Sequence, residues 1–221
     1  MFKKLAISGV LIFSTLCSST FALANSEVSV QATKKLENGF EIEYLENTKD
    51  YQKIKFTNQE TKEVEYLEVV IDENGQAEYT AYYNNKVTVL NQDATLGYEL
   101  NLETNTTKTI DLSESKIDIQ AVAPEEPGNY VYQTTFKSSK SFDTAIVSLI
   151  AGIVASVYGG PITGVATGIA TFLYSTKAKQ FWYVTDLYYY KDFPGKPASY
   201  TKYYAYPDYT NLINSIWYVG F

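Results

Sequence analysis

From Thr144 to Thr176 the chain runs thirty-three residues without a charge, and small residues return at every fourth position: Ser148, Gly152, Ser156, Gly160, Gly164 and Gly168. A stride of four puts them on one face of a helix, where small side chains let a second backbone approach closely. Around them the segment is apolar on nearly every side, through Ile146, Leu149, Ile150, Ile153, Val154 and Val157, then Ile162, Val165, Ile169, Phe172 and Leu173. Only a protein interior or a lipid phase accepts such a helix.

Gly159-Gly160-Pro161 interrupts the segment. Tandem glycine favours a bend, and proline suits the first position of a new helix. The expectation is two helices, Asp143 to Tyr158 and Pro161 to Ser175, hinged at Pro161. Ser141 or Asp143 would cap the first, and Lys177 and Lys179 would sit at the negative end of the second. Each arm would reach roughly 22 to 24 Å, short of a hydrocarbon core of roughly 30 Å.

The chain opens with a secretory signal: Lys3 and Lys4, an apolar run from Leu5 to Phe13, and Ala22-Leu23-Ala24 as a small-x-small cleavage site. Cleavage after Ala24 also removes the sole cysteine, Cys17, so the exported protein would hold together without disulfides. A disulfide-free secreted chain fits a bacterial envelope.

Charge then divides the chain. Asn25 to Glu126 carries 21 acidic residues against nine lysines, whereas Pro127 to Phe221 carries four aspartates against seven lysines. The sign changes beside Pro124-Glu125-Glu126-Pro127-Gly128. This places an acidic β-rich region at 25–107, a linker at 108–128 and a C-terminal domain at 129–221, the last with a helical hairpin at 143–175 and aromatic strands over 181–219. Cutting near Ala123 would make the first region a pro-region; a plain linker is the alternative, and the intact mass of the secreted protein decides between them.

In the acidic region apolar and polar residues alternate as in half-buried strands: Phe40, Ile42 and Tyr44 face one way, Glu41, Glu43 and Leu45 the other. Further runs cover Tyr51 to Thr57, Glu63 to Ile71, Ala77 to Tyr83, Lys86 to Leu90 and Tyr98 to Leu102, with an Asn74-Gly75 turn among them. After the boundary, Tyr130 to Phe136 reads as a strand. The last 41 residues hold fifteen aromatics, among them Trp182, Tyr183, Tyr188, Tyr190, Trp217 and Tyr218. Strands are expected at Phe181 to Tyr190, Tyr200 to Tyr206 and Ile213 to Val219, the first two joined by a turn at Pro194-Gly195-Lys196-Pro197. The fold class is therefore α+β: an N-terminal antiparallel meander, then a glycine-rich apolar helical hairpin packed on tyrosine-rich antiparallel strands.

Histidine and arginine are absent. No catalytic serine-histidine pair, metal-binding cluster, P-loop or dinucleotide fingerprint can be assembled, so the expectation is a non-enzyme without cofactor or metal. The glutamates of the first half sit at alternate strand positions, where a solvated face explains them better than a carboxylate pair for glycoside hydrolysis. Nucleic-acid binding is disfavoured by the acidic balance.

The glycine-broken stretch Ile153 to Thr171 followed by tyrosine-rich strands resembles the large secreted bacteriocins of the geobacillin type over roughly the last 95 residues. That resemblance implies inhibition of related bacteria. Membrane lipid or an envelope receptor would be the partner, self-association would run along the small-residue ridge, and the tyrosines and tryptophans would anchor at the membrane interface. Two other expectations stand beside it: an extracellular module that binds cell wall or protein while the hairpin stays buried, and an immunity or inhibitor protein.

Overall fold

The computed structural model describes residues 34–90, 96–111, 117–119, 128–142 and 146–220. The signal segment with Ala24, the cap candidate Asp143 and the cleavage candidate Ala123 lie outside them.

The fold is α+β. Eight strands pair in sequence order into one antiparallel sheet: β1 (Lys34–Glu37), β2 (Phe40–Asn47), β3 (Tyr51–Asn58), β4 (Val64–Ile71), β5 (Ala77–Tyr83), β6 (Lys86–Leu90), β7 (Leu96–Asn101) and β8 (Thr106–Asp111). Their alternation gives the sheet one apolar face. Gln52, Ile54 and Phe56 of β3 point the same way as Glu65, Leu67, Val69 and Ile71 of β4, and all are buried. Tight turns hold the register. Asn38 and Gly39 both take positive φ between the Glu37↔Phe40 pair, as a two-residue hairpin requires. At the Asn74-Gly75 turn, Asp72 Oδ1 accepts from the backbone N–H groups of Asn74 and Gln76 at 2.9 and 2.8 Å. These bonds, that from Gln76 foremost, hold the exposed Asp72 carboxyl below its ordinary value.

The second sheet has the order β13-β12-β11-β10-β9, from β9 (Ile117–Ile119), β10 (Tyr130–Ser141), β11 (Gln180–Tyr190), β12 (Phe193–Tyr204) and β13 (Leu212–Val219), again antiparallel. Within the stretch read as a linker, Lys108 to Asp111 thus belong to β8 and Ile117 to Ile119 to β9. Two helices, α1 (Val147–Tyr158) and α2 (Gly164–Ser175), lie between β10 and β11 in the chain and between the two sheets in space. α1 touches β4, β5 and β6 on one side and β12 on the other; α2 packs on α1 and β13. One continuous core results, joining Ile42, Ile54, Phe56, Leu67 and Tyr79 to Ile150, Ile153, Val154, Ile169 and Leu173, and onward to Phe181, Tyr183, Tyr203 and Ile216.

Four local expectations need correction. The first helix starts at Val147 rather than Asp143, Ser141 belongs to β10, and Ile146 at the N-cap supplies no side-chain bond. The second starts at Gly164 rather than Pro161, because Thr163 offers the capping oxygen, accepting from the Ala166 N–H at 3.2 Å. Gln52 meanwhile takes both backbone groups of Ile162 out of helical pairing. The β11–β12 turn falls at Lys191-Asp192, not at Pro194 to Pro197. The register passes from Tyr189↔Pro197 to Tyr190↔Phe193, so Pro194, Gly195 and Lys196 form a bulge, where proline's missing N–H breaks no ladder. Finally, β10 runs on past Phe136 to Ser141.

Candidate functional site

The small residues of the uncharged segment do not share one partner. Gly152 is where α1 meets the first sheet: a Cβ there would lie 3.2 Å from Leu90 Cδ1 and 3.3 Å from Tyr79 Cβ. Gly160 lies under an aromatic ring, its ideal Cβ 2.6 Å from Tyr218 Cε2. Gly168 faces Glu37 of β1, its Cβ position 2.8 Å from Oε1, whereas Gly164 meets nothing within 4 Å. Ser148 and Ser156 are buried, and the Ser156 hydroxyl donates to the Ile153 carbonyl at 2.8 Å. The ridge is thus a set of close approaches to several neighbours. Gly152→Val, which adds branched volume against the root of Tyr79, is expected to destabilise the protein by about 1–3 kcal/mol, read as a lower urea midpoint.

Polar side chains of the first sheet grip the helices where helical backbone groups need partners. At the start of α1 the Ser148 N–H donates to Glu65 Oε2 at 2.7 Å, so a carboxylate from β4 fills the place of the missing local cap. Burial pushes the Glu65 carboxyl up, and the hydrogen bonds from Ser148 oppose that rise. At the connection between the helices, Ile162 N–H donates to Gln52 Oε1 at 2.7 Å while Gln52 Nε2 donates to the Ile162 carbonyl at 3.2 Å. Tyr79 Oη donates to the Gly160 carbonyl at 2.7 Å, and within the helix pair itself Tyr158 Oη, at the end of α1, donates to that of Pro161. On α2, Asn38 Nδ2 donates to Thr171 Oγ1 at 3.0 Å. From the second sheet, Tyr203 Oη donates to the Val154 carbonyl at 2.9 Å.

Pro161, expected as a hinge, therefore sits in a connection whose carbonyls at Gly160, Pro161 and Ile162 are all engaged. Gln52, Glu65, Tyr79, Asn38 and Tyr203 were not among the candidate residues. The legible signal was parity. Gln52 and Glu65 occupy inward positions in strands whose other inward residues are apolar, and a polar residue buried there needs a partner.

The aromatic candidates divide by face. Tyr183 is buried beside Phe181 and Tyr203, and Tyr218 packs against Tyr158. On the opposite face Trp217 is 38% exposed and touches the rings of Tyr130, Tyr188 and Tyr200; Tyr190 meets Tyr130, and half-buried Trp182 stands opposite Tyr204. Lys202 Nζ lies 5.1 Å from the centroid of Tyr200 and 3.7 Å from Asp186 Oδ2. A separate cleft of about 870 Å³ opens between the β1–β2 and β3–β4 turns and the end of α2, with Asn38, Gln59, Tyr174, Lys177 and Lys179 on its walls.

Among the described residues no group of acidic or sulfur-bearing side chains is placed to hold a metal ion. No helix among them is long and apolar enough to cross a membrane; α1 and α2 have twelve residues each, about 18 Å. No family model matches the chain, and neither a curated protein nor a solved structure matches it.

Proposed function

We propose that this is a secreted, bacteriocin-like antimicrobial protein, and that its glycine-rich apolar helical hairpin, packed on tyrosine-rich antiparallel strands, acts on the membranes of target bacteria. One observation carries the reading: α1 and α2 have no charge anywhere and are enclosed on two sides by β-sheets, one of which holds them by an apolar face and by hydrogen bonds to helix ends and to the connection between helices. An uncharged hairpin is compatible with two media, protein and lipid, and an enclosing sheet keeps it out of water until lipid is met. Neither twelve-residue arm spans a bilayer alone, so entry as a pair or by way of the interface is the expected mode. Trp182 and Trp217 would anchor at the interface, with lysines of the second half drawing the protein to anionic lipid.

The direct test is dye release from anionic liposomes by the purified protein, alongside growth inhibition of a panel of bacteria. Release and inhibition are expected together; intact liposomes at both acidic and neutral pH would overturn the reading. A second reading is favoured by the aromatic face around Trp217: an extracellular module that grips wall polysaccharide while the hairpin stays enclosed. Retention on isolated cell walls without liposome leakage would select it.

A further inference from the structure

We infer that the eight-stranded sheet is a releasable cover on the helix pair, latched at four points by Asn38, Gln52, Glu65 and Tyr79, and that its release as a unit is the step that uncovers α1. The membrane role given to the uncovered helix rests on the function proposed above; the latch itself does not.

Three observations assign the moving part. Among the described residues no strand of the first sheet pairs with a strand of the second, so separating the sheets breaks no backbone ladder. The helices are tied in sequence to the second sheet at both ends: β10 ends at Ser141 before α1 starts at Val147, and α2 ends at Ser175 before β11 starts at Gln180. The first sheet has no such tie to either helix. Its hold consists of an apolar face and of side-chain bonds to the Ser148 N–H, the Ile162 N–H and carbonyl, the Gly160 carbonyl and the Thr171 hydroxyl.

Those bonds lie at the helix ends, at the connection and on α2, so they constrain the whole pair. Opening in water exposes the inward face of the sheet, with Ile42, Ile54, Phe56, Leu67 and Val69, together with the facing side of α1. Both surfaces are apolar, so the closed form dominates in water and a lipid surface favours the open one.

Two amides report the latch directly, because Ser148 N–H and Ile162 N–H are bonded to side chains of the cover. In native-state hydrogen exchange of the intact chain, both are expected to exchange at one common rate, faster than the amides of the β11–β12 ladder. Gln52→Ala, which removes both bonds at Ile162 and the bond from Gln52 Nε2 to Asn47 Oδ1 of the neighbouring strand, is expected to speed exchange at Ser148 as well as at Ile162 by roughly threefold to tenfold. A purely local bond would accelerate Ile162 alone, and that result overturns the latch; so does exchange of both amides only at the rate of the β11–β12 ladder. Should Gln52→Ala fail to fold, the near-isosteric Thr171→Val removes the Asn38 bond and carries the same comparison. Dye release from anionic liposomes is measured on the same samples. Coupled exchange with intact liposomes removes the membrane reading and leaves the latch, while leakage without coupled exchange does the reverse.

Discussion

Phe56→Ala is expected to lower the stability of the intact protein by about 3–5 kcal/mol, the usual cost of deleting a fully buried aromatic side chain. At roughly 2–4 °C per kcal/mol for a chain of this size, thermal unfolding should move down by about 10 °C. The informative readout is tryptophan fluorescence. The chain has two tryptophans, Trp182 and Trp217, both in strands of the second sheet, whereas Phe56 lies in the first. Because the core runs unbroken from Phe56 through α1 to Phe181 and Tyr203, the fluorescence transition should shift as far as the far-ultraviolet circular dichroism transition. A fluorescence midpoint that stays put while circular dichroism moves would show the halves to be energetically separate.

Alkaline instability is the second large expectation. Burial pushes the hydroxyls of Tyr79, Tyr158 and Tyr203 far above the ordinary tyrosine value. All three donate to backbone carbonyls, at Gly160, Pro161 and Val154, which a phenolate could not do. In the unfolded chain they ionise near pH 10. Below that pH both states keep the three protons and the contribution to stability is full. Above it only the folded state keeps them, so stability falls as pH rises, by about 1.4 kcal/mol per group and pH unit, or about 4 kcal/mol per unit for three. Urea midpoints measured from pH 9 upward should show this slope, with tyrosinate absorbance appearing as the protein unfolds. Tyr79→Phe and Tyr203→Phe should each flatten the slope by one group's share, about 1.4 kcal/mol per pH unit. A level profile through pH 11 would mean that these hydroxyls are not held from water.

Glu65 obeys the same rule at the acid end. Its carboxyl is raised, so its linkage favours the closed form as pH falls through the raised value. This group by itself therefore does not make acid the trigger for opening, and contact with lipid is the better candidate. The liposome assay at acidic and neutral pH separates the two.

The strands of the first sheet were readable because each is half-buried and alternates with a period of two, so the runs begun at Phe40, Tyr51, Ala77 and Lys86 fall on β2, β3, β5 and β6 within a residue or two. β1 and β8 escaped notice because Lys34–Glu37 and Thr106–Asp111 are polar, and a polar sheet edge has no periodic signature. The uncharged stretch by itself determined that two helices had to be hidden from water. That was as far as local pattern could go, since period and hydropathy describe a surface's need for cover and are silent on what supplies it.

Tertiary structure decided the rest. It put a sheet on each side of the helices, sent Gly152, Gly160 and Gly168 to three different neighbours, and drew the caps for α1 and the connection from Glu65, Gln52 and Tyr79. These partners lie 81 to 110 residues away along the chain. A backbone group left without a local partner can be satisfied by any polar side chain the fold carries to it, and only the packing of the two sheets around the helices selects which one arrives.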